Sequence, residues 1–179
     1  MRRLVLALAL VAGIAACGGP DPAPSVAVEV GDILVVVPGE RVQAAPPSEA
    51  LAIVFSRAKD QASANGDDLG YPWIDPATGE LVLSAVTPHG RDLVAGIATP
   101  HRVREVKHGA GELARIQDDV TTLNSLGVPD ASLIIAVLPD HRDNRTLIVV
   151  RARSEPLLAA LATRYPAGTL AVEIDPSGP

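Results

Sequence analysis

Two stretches about 65 residues apart follow one pattern, and that repetition limits the folds open to this chain more than any other feature. "GYPWID" and "ELVLSAV" flank Asp75-Pro76-Ala77-Thr78-Gly79, with proline and glycine where a tight loop needs them. "SLIIAVLP" and "RTLIVVRA" flank "DHRDN", Asp140 to Asn144. Each hairpin leads into a short amphipathic helix and one more strand. In the first, Leu93, Val94 and Ile97 turn inward before "RVREVK" (Arg102 to Lys107). In the second, a Ser154-capped helix carries Leu157, Leu158, Leu161 and Tyr165 before "TLAVEI" (Thr169 to Ile174). Between them lies a helix over about Gly111 to Leu126, with an apolar stripe of Leu113, Ile116, Val120 and Leu123, stopped by Gly127 and Pro129. Units of this kind bury one sheet face under their helices. The expected class is therefore α+β: a two-layer fold of two ββαβ-like units joined by a helix, preceded by a strand-helix segment. Both apolar runs of the second hairpin read as largely buried strands. The mostly polar "RVREVK" suits a sheet edge.

The segment before these units holds a β-branched stretch, "SVAVEVGDILVVVPG" (Ser25 to Gly39), which reads as one or two strands broken at Gly31-Asp32. Ser48 to Gly66 changes period. Leu51, Phe55, Ala58 and Ala62 share a helical face, Ser48 caps the start and Gly66 suits the C′ position. Whether 26–66 joins the main sheet or forms an arm stays open at this level. Aromatic residues are confined to Phe55, Tyr71, Trp73 and Tyr165, so the core is aliphatic and little remains for a stacking platform.

The only cysteine, Cys17, follows a positive start (Arg2, Arg3) and the 13-residue apolar run Leu4 to Ala16, too short to span a bilayer of about 30 Å as a helix. Ile14-Ala15-Ala16-Cys17 resembles the lipobox of bacterial lipoproteins. The resemblance implies lipid attachment to the Cys17 sulfur and cleavage before it, with 1–16 as signal peptide, 17–25 ("CGGPDPAPS") as lipidated tether, 26–66 as the strand and helix segment and 67–179 as the α+β domain. A free thiol after an ordinary signal peptide is the competing reading. Removing the first 16 of 179 residues leaves 163, and losing Arg2 and Arg3 takes the formal charge from −6 to −8. That balance argues against nucleic acid as a partner. The expected location is the extracytoplasmic side of the cell membrane or the outer membrane.

The helix "GELARIQDDV", a hairpin with Asp140, Asn144 and Arg145 at its turn, a valine-rich strand, a helix and a closing "VEI" strand resemble the pro-regions of secreted bacterial serine proteases of the α-lytic and streptogrisin type. "WIDPATGELVLSAV" looks like their first hairpin, and the likeness covers roughly residues 70 to 175. It implies an intramolecular foldase and inhibitor of a protease attached behind it. Here the sequence stops at Pro179, so the expectation becomes one of action in trans, with no catalytic residue to carry over.

No serine sits in a Gly-x-Ser-x-Gly setting, and His89, His101, His108 and His141 fall at element ends or in loops, so no nucleophile and base are visible. Asp140, Asp143 and Asn144 are oxygen-rich enough to suggest a Ca²⁺ loop. They are also the residues a hairpin turn selects, and the turn reading is preferred. His108 and Glu112 stand four apart, but Gly109-Ala110-Gly111 argues against a shared helical face. No cofactor is expected. The expected function is non-enzymatic: a lipid-anchored protein that binds another protein or serves the envelope. The alternative is a pro-region-like inhibitor or foldase of a secreted serine protease.

Overall fold

A computed structural model describes residues 27–30, 33–36 and 46–176 of the chain. It is an α+β fold in which the two expected units share one connection. In the first, β3 (Leu69–Ile74) runs antiparallel to β4 (Leu81–Ala85), α2 (Pro88–Ala95) crosses over, and β5 (His101–Glu105) lies parallel to β4. In the second, β6 (Ile134–Asp140) runs antiparallel to β7 (Arg145–Val150), α4 (Glu155–Arg164) crosses over, and β8 (Leu170–Ile174) lies parallel to β7. Joining them is α3 (Ala110–Thr122), followed by a 3-10 turn at Ala131–Leu133.

The N-terminal segment is divided between the units. Strands β1 (Ala27–Val30) and β2 (Ile33–Val36) extend the second sheet, with β2 parallel to β8 (Leu34 beside Ala171), giving the order β1-β2-β8-β7-β6. Helix α1 (Glu49–Ala64) packs on the three-stranded first sheet, order β3-β4-β5.

Local chemistry sets the helix ends. Ser48, Thr87 and Ser154 each accept the N–H of the third residue onward, Leu51 at 3.3 Å, Gly90 at 3.1 Å and Leu157 at 3.2 Å. Helix α3 has no such side chain; its Gly111 N–H donates to the Gly66 carbonyl at 3.1 Å instead. Gly66 holds the expected C′ position, directly after the C-cap Asn65, but not in the left-handed region. A Cβ there would lie 2.6 Å from the Gly111 nitrogen, and one on Gly109 would lie 2.0 Å from the Gly66 oxygen. These glycines let the end of α1 and the start of α3 touch backbone to backbone.

Each unit has its own aliphatic core on the helix-covered face. Leu69, Leu81, Leu83, Val94, Ala58 and Ala62 form the smaller one. The larger joins Ile148, Val150, Leu170, Val172, Ile33 and Val35 to α3 and α4 through Ile116, Val120, Leu157 and Leu161. Burying one such side chain contributes about 1.5–3 kcal/mol. Helix α3 serves both, Ala110 in the first core and Ile116, Val120 and Leu123 in the second. One strand departs from expectation. β7 is buried at Ile148, Val149 and Val150, but no residue of β6 is buried, and Leu138 is 38% exposed. An apolar run reports a place in a sheet but not whether that place is central or outermost, and β6 is outermost.

Candidate functional site: the seam between the units and the open sheet edges

The turn that the sequence marks as a possible cation loop is where the second unit meets the first. Asp140 Oδ1 accepts the Asp143 N–H at 3.1 Å, and Arg145 donates to Asp140 Oδ2 at 2.9 Å and to Asp143 Oδ2 at 3.0 Å. Asn144, at φ +52°, takes the left-handed conformation that asparagine tolerates. Its side chain faces the linker between β5 and α3: Oδ1 accepts the His108 N–H at 2.9 Å and Nδ2 donates to the His108 carbonyl at 2.8 Å. A primary amide thus pairs with a backbone residue as a strand neighbour would, and Asn144 is only 8% exposed. All three oxygen-bearing residues are held by protein groups. Among the described residues, no group of three or more His, Cys, Asp or Glu is placed to hold a metal ion.

Arg104 on β5 adds a second tie, donating to the carbonyls of Arg142 and His141. Burial lowers its pKa, an effect opposed by the nearby charges of Asp143 and Asp140 and reinforced by Arg102 and Arg142. The His141 ring lies 5.1 Å from that of Tyr71. Burial first, then the Lys59 charge, hold its pKa below the usual imidazole value, against a smaller pull from Asp140. Near Asn144, Ser84 is 2% exposed and its Oγ has no hydrogen-bond partner among the described residues; Trp73 Nε1 and Arg104 Nε are buried in the same condition. Strand register puts Trp73, Ser84 and Arg104 on the helix-free face of the first sheet.

His108 and Glu112 are brought together, against expectation: Nδ1 lies 3.1 Å from Glu112 Oε2. The glycines do keep His108 out of the helix, yet Glu112 in the first turn reaches back to it. His89 is exposed on α2, and His101 Nδ1 lies 2.7 Å from the Thr99 carbonyl. The described histidine contacts are thus to the Thr99 carbonyl, the Glu112 carboxylate, the Tyr71 ring and the Asn144 amide. An open cleft of about 370 Å³ at the seam is lined by Arg104, Lys107, His108, Asp143 and Gly168, with charges of both signs.

Both sheets also end in open strands. Outermost in the first is β5, where Val103 is 38% exposed and Arg102 pairs with Asp75 and Glu80 at 3.5 and 3.4 Å. Cys17 and residues 1–25, which the sequence reads as a signal peptide (1–16) and a lipidated tether (17–25), lie outside the described residues. No helix among the described residues is long and apolar enough to cross a membrane. No family model matches this chain, nor does any curated protein or solved structure. The Asn144–His108 pairing escaped sequence reading, since only the shared preference of Asn for turns and for left-handed backbone pointed to that residue.

Proposed function

We propose that the chain is a non-enzymatic, lipid-anchored extracytoplasmic protein whose α+β body binds another protein. Cys17 carries the lipid, residues 18–25 hold the body off the bilayer, and the outer edge of β5 receives an extended segment of the partner. The observation that carries the binding role is that edge: among the described residues β5 pairs with β4 alone, and along it Val103, on the helix side, and Arg102, on the opposite face, are both exposed. Unpaired strand edges take up partner strands through main-chain hydrogen bonds.

In-cell crosslinking of the tagged chain, with mass spectrometry of what is captured, tests this beside Cys17→Ala and Val103→Asp. The expected result is one dominant partner for the unchanged protein, its loss in Val103→Asp, and release of Cys17→Ala from the membrane fraction. Retention of Cys17→Ala with the membrane would remove the anchor. Capture unaffected by Val103→Asp would remove the β5 edge.

The second reading, an inhibitor or foldase acting in trans on a secreted serine protease, is supported by the order α3, β6–β7, α4, β8, on which the pro-region resemblance rests. A secreted serine protease as the dominant partner would decide for it.

A further inference from the structure

The other end of the molecule holds a different kind of opening. Between the C-terminal half of α3 and β6 runs a groove of about 440 Å³, walled by Val120 and Thr121 on the helix, Asn124 just beyond its end, and Ser132, Ile135 and Val137 on the strand side. No charged side chain lines it, in a chain that is 20% charged and formally −6. Its size falls in the range of ligand clefts, roughly 300–1,000 Å³.

The strand wall offers backbone as well as side chains. Antiparallel partners alternate between pairs that exchange hydrogen bonds and pairs that do not. The Thr146 N–H donates to the Thr169 carbonyl at 2.8 Å, so Thr146 faces β8 and its partner on β6, Pro139, belongs to a pair that exchanges none. Two residues earlier Val137, opposite Ile148, has the same character. Its N–H and C=O therefore point away from β7 at the free edge, and Val137 also lines the groove.

Edges are commonly guarded by charge, proline or irregular register. On β5, Arg102, Arg104 and Glu105 restrict strand addition to a segment of complementary charge, the kind of partner the β5 edge would take. On β6 the register shifts between Ile134 and Ala136, and Pro139 follows, leaving Ala136 to Leu138 free of charge and free to template. Three residues are too few to seat the edge of a second folded sheet, but enough for a short segment.

We propose that this groove binds an uncharged, extended peptide segment of another protein, added beside β6 as a sixth strand of the second sheet. Main-chain bonds to Val137 hold it, apolar side chains pack on the partly exposed Ile135 and Val137, and the uncharged walls select against acidic or basic residues, whose charges would find no partner there. This inference goes beyond the β5 edge and does not depend on it.

The test is amide hydrogen exchange on the full-length protein in detergent, titrated with two blocked peptides, Ac-Thr-Val-Thr-Val-Thr-NH₂ and Ac-Glu-Val-Glu-Val-Glu-NH₂. The expected result is at least tenfold slower exchange at Val137 with the neutral peptide, and at least tenfold weaker binding of the acidic one. Thr121→Arg and Ser132→Arg, both at exposed positions, should each weaken the neutral peptide at least tenfold and leave exchange elsewhere in the protein unchanged. Absence of slowing at Val137, slowing at β5 instead, equal binding of the two peptides, or dimerisation through β6 would each overturn the proposal. Partner capture through Val103 is read separately, so failure at β6 leaves the β5 reading standing, and the reverse.

Discussion

Five parallel pairs join β4 to β5, from Leu81–His101 to Ala85–Glu105, and five join β7 to β8, from Thr146–Leu170 to Val150–Ile174. Laid over each other, the units put Leu83 where Ile148 stands and Ala85 where Val150 stands, all beneath helices. On the opposite face they part: Ser84 and Arg104 occupy the positions of Val149 and Glu173, and Arg102 that of Ala171. The comparison teaches which half of a strand's side chains decides topology. Alternating apolar residues on the helix side are enough to repeat a ββαβ connection, and the other face is left to differ. The first unit uses it to meet the turn at Asp140–Asn144, and the second widens its sheet with β1 and β2.

A wider sheet and a larger core predict where stability sits. Leu161→Ala, which empties space between α4 and the second sheet, should cost about 2–5 kcal/mol. Ala58→Gly, a smaller loss from the first core on α1, should cost about 1 kcal/mol, mostly backbone entropy. Denaturant unfolding followed by native-state hydrogen exchange checks both. If β4 outlasts β7 in exchange, the ranking of the two units is wrong.

The latch between the units comes next. Asn144→Ala removes both bonds to His108, leaves its partly buried N–H and C=O without that partner, and puts alanine at a positive φ, for a loss of about 2–3 kcal/mol. Asn144→Gly relieves the backbone but not the lost bonds, so it should recover only part of that. Equal stability of Asn144→Gly and wild type would show that conformation alone selects asparagine here.

How much of this was legible depended on the range of the interaction. The hairpins, the caps Ser48 and Ser154 and the stripe Leu113, Ile116, Val120 and Leu123 are each written within a few residues. Pairing of Leu34 with Ala171 joins segments from opposite ends of the chain and leaves no local trace, so the placement of β1 and β2 was open. The apolar look of "SLIIAVLP" misjudged β6 for a related reason: burial is set by neighbours, which the strand does not encode. In the candidate site, composition identified the turn but not its partner. His108 is engaged through backbone atoms that any residue would supply.

Acid should loosen the contact between α3 and α4 more gently. Asp119 on α3 accepts two bonds from Arg164, both at 2.8 Å, and one from the Tyr165 hydroxyl at 2.7 Å, which hold its carboxyl pKa at about 2. Burial, then the Asp119 carboxylate, push the Tyr165 phenol upward. A carboxylate lowered on folding stabilises above its unfolded value near 4, and that share is lost as pH falls from about 4 toward 2. The Asp119 side chain is 37% exposed and solvent screens the pair, so Asp119→Asn should cost less than about 1 kcal/mol at neutral pH. The gap from wild type should close below pH 4. A gap that persists at pH 2 would assign the effect to packing of Tyr165.

The smallest effect tests the face on which the units differ. The Ser84 hydroxyl is buried with no partner among the described residues, whereas its counterpart Val149 has no polar atom to satisfy. A buried hydroxyl without a hydrogen bond is a standing cost, and deleting it removes the cost while giving up little packing. Ser84→Ala should therefore be neutral or stabilising, by up to about 1 kcal/mol. Enlargement is a different matter. Ser84 is 2% exposed, so Ser84→Val, which copies the second unit and adds a methyl group at an enclosed position, should destabilise through crowding. That pair of signs follows only if the two faces are packed differently. Gain from both substitutions would mean that the first unit tolerates the second's face, and loss from Ser84→Ala would mean that the hydroxyl is engaged at the seam.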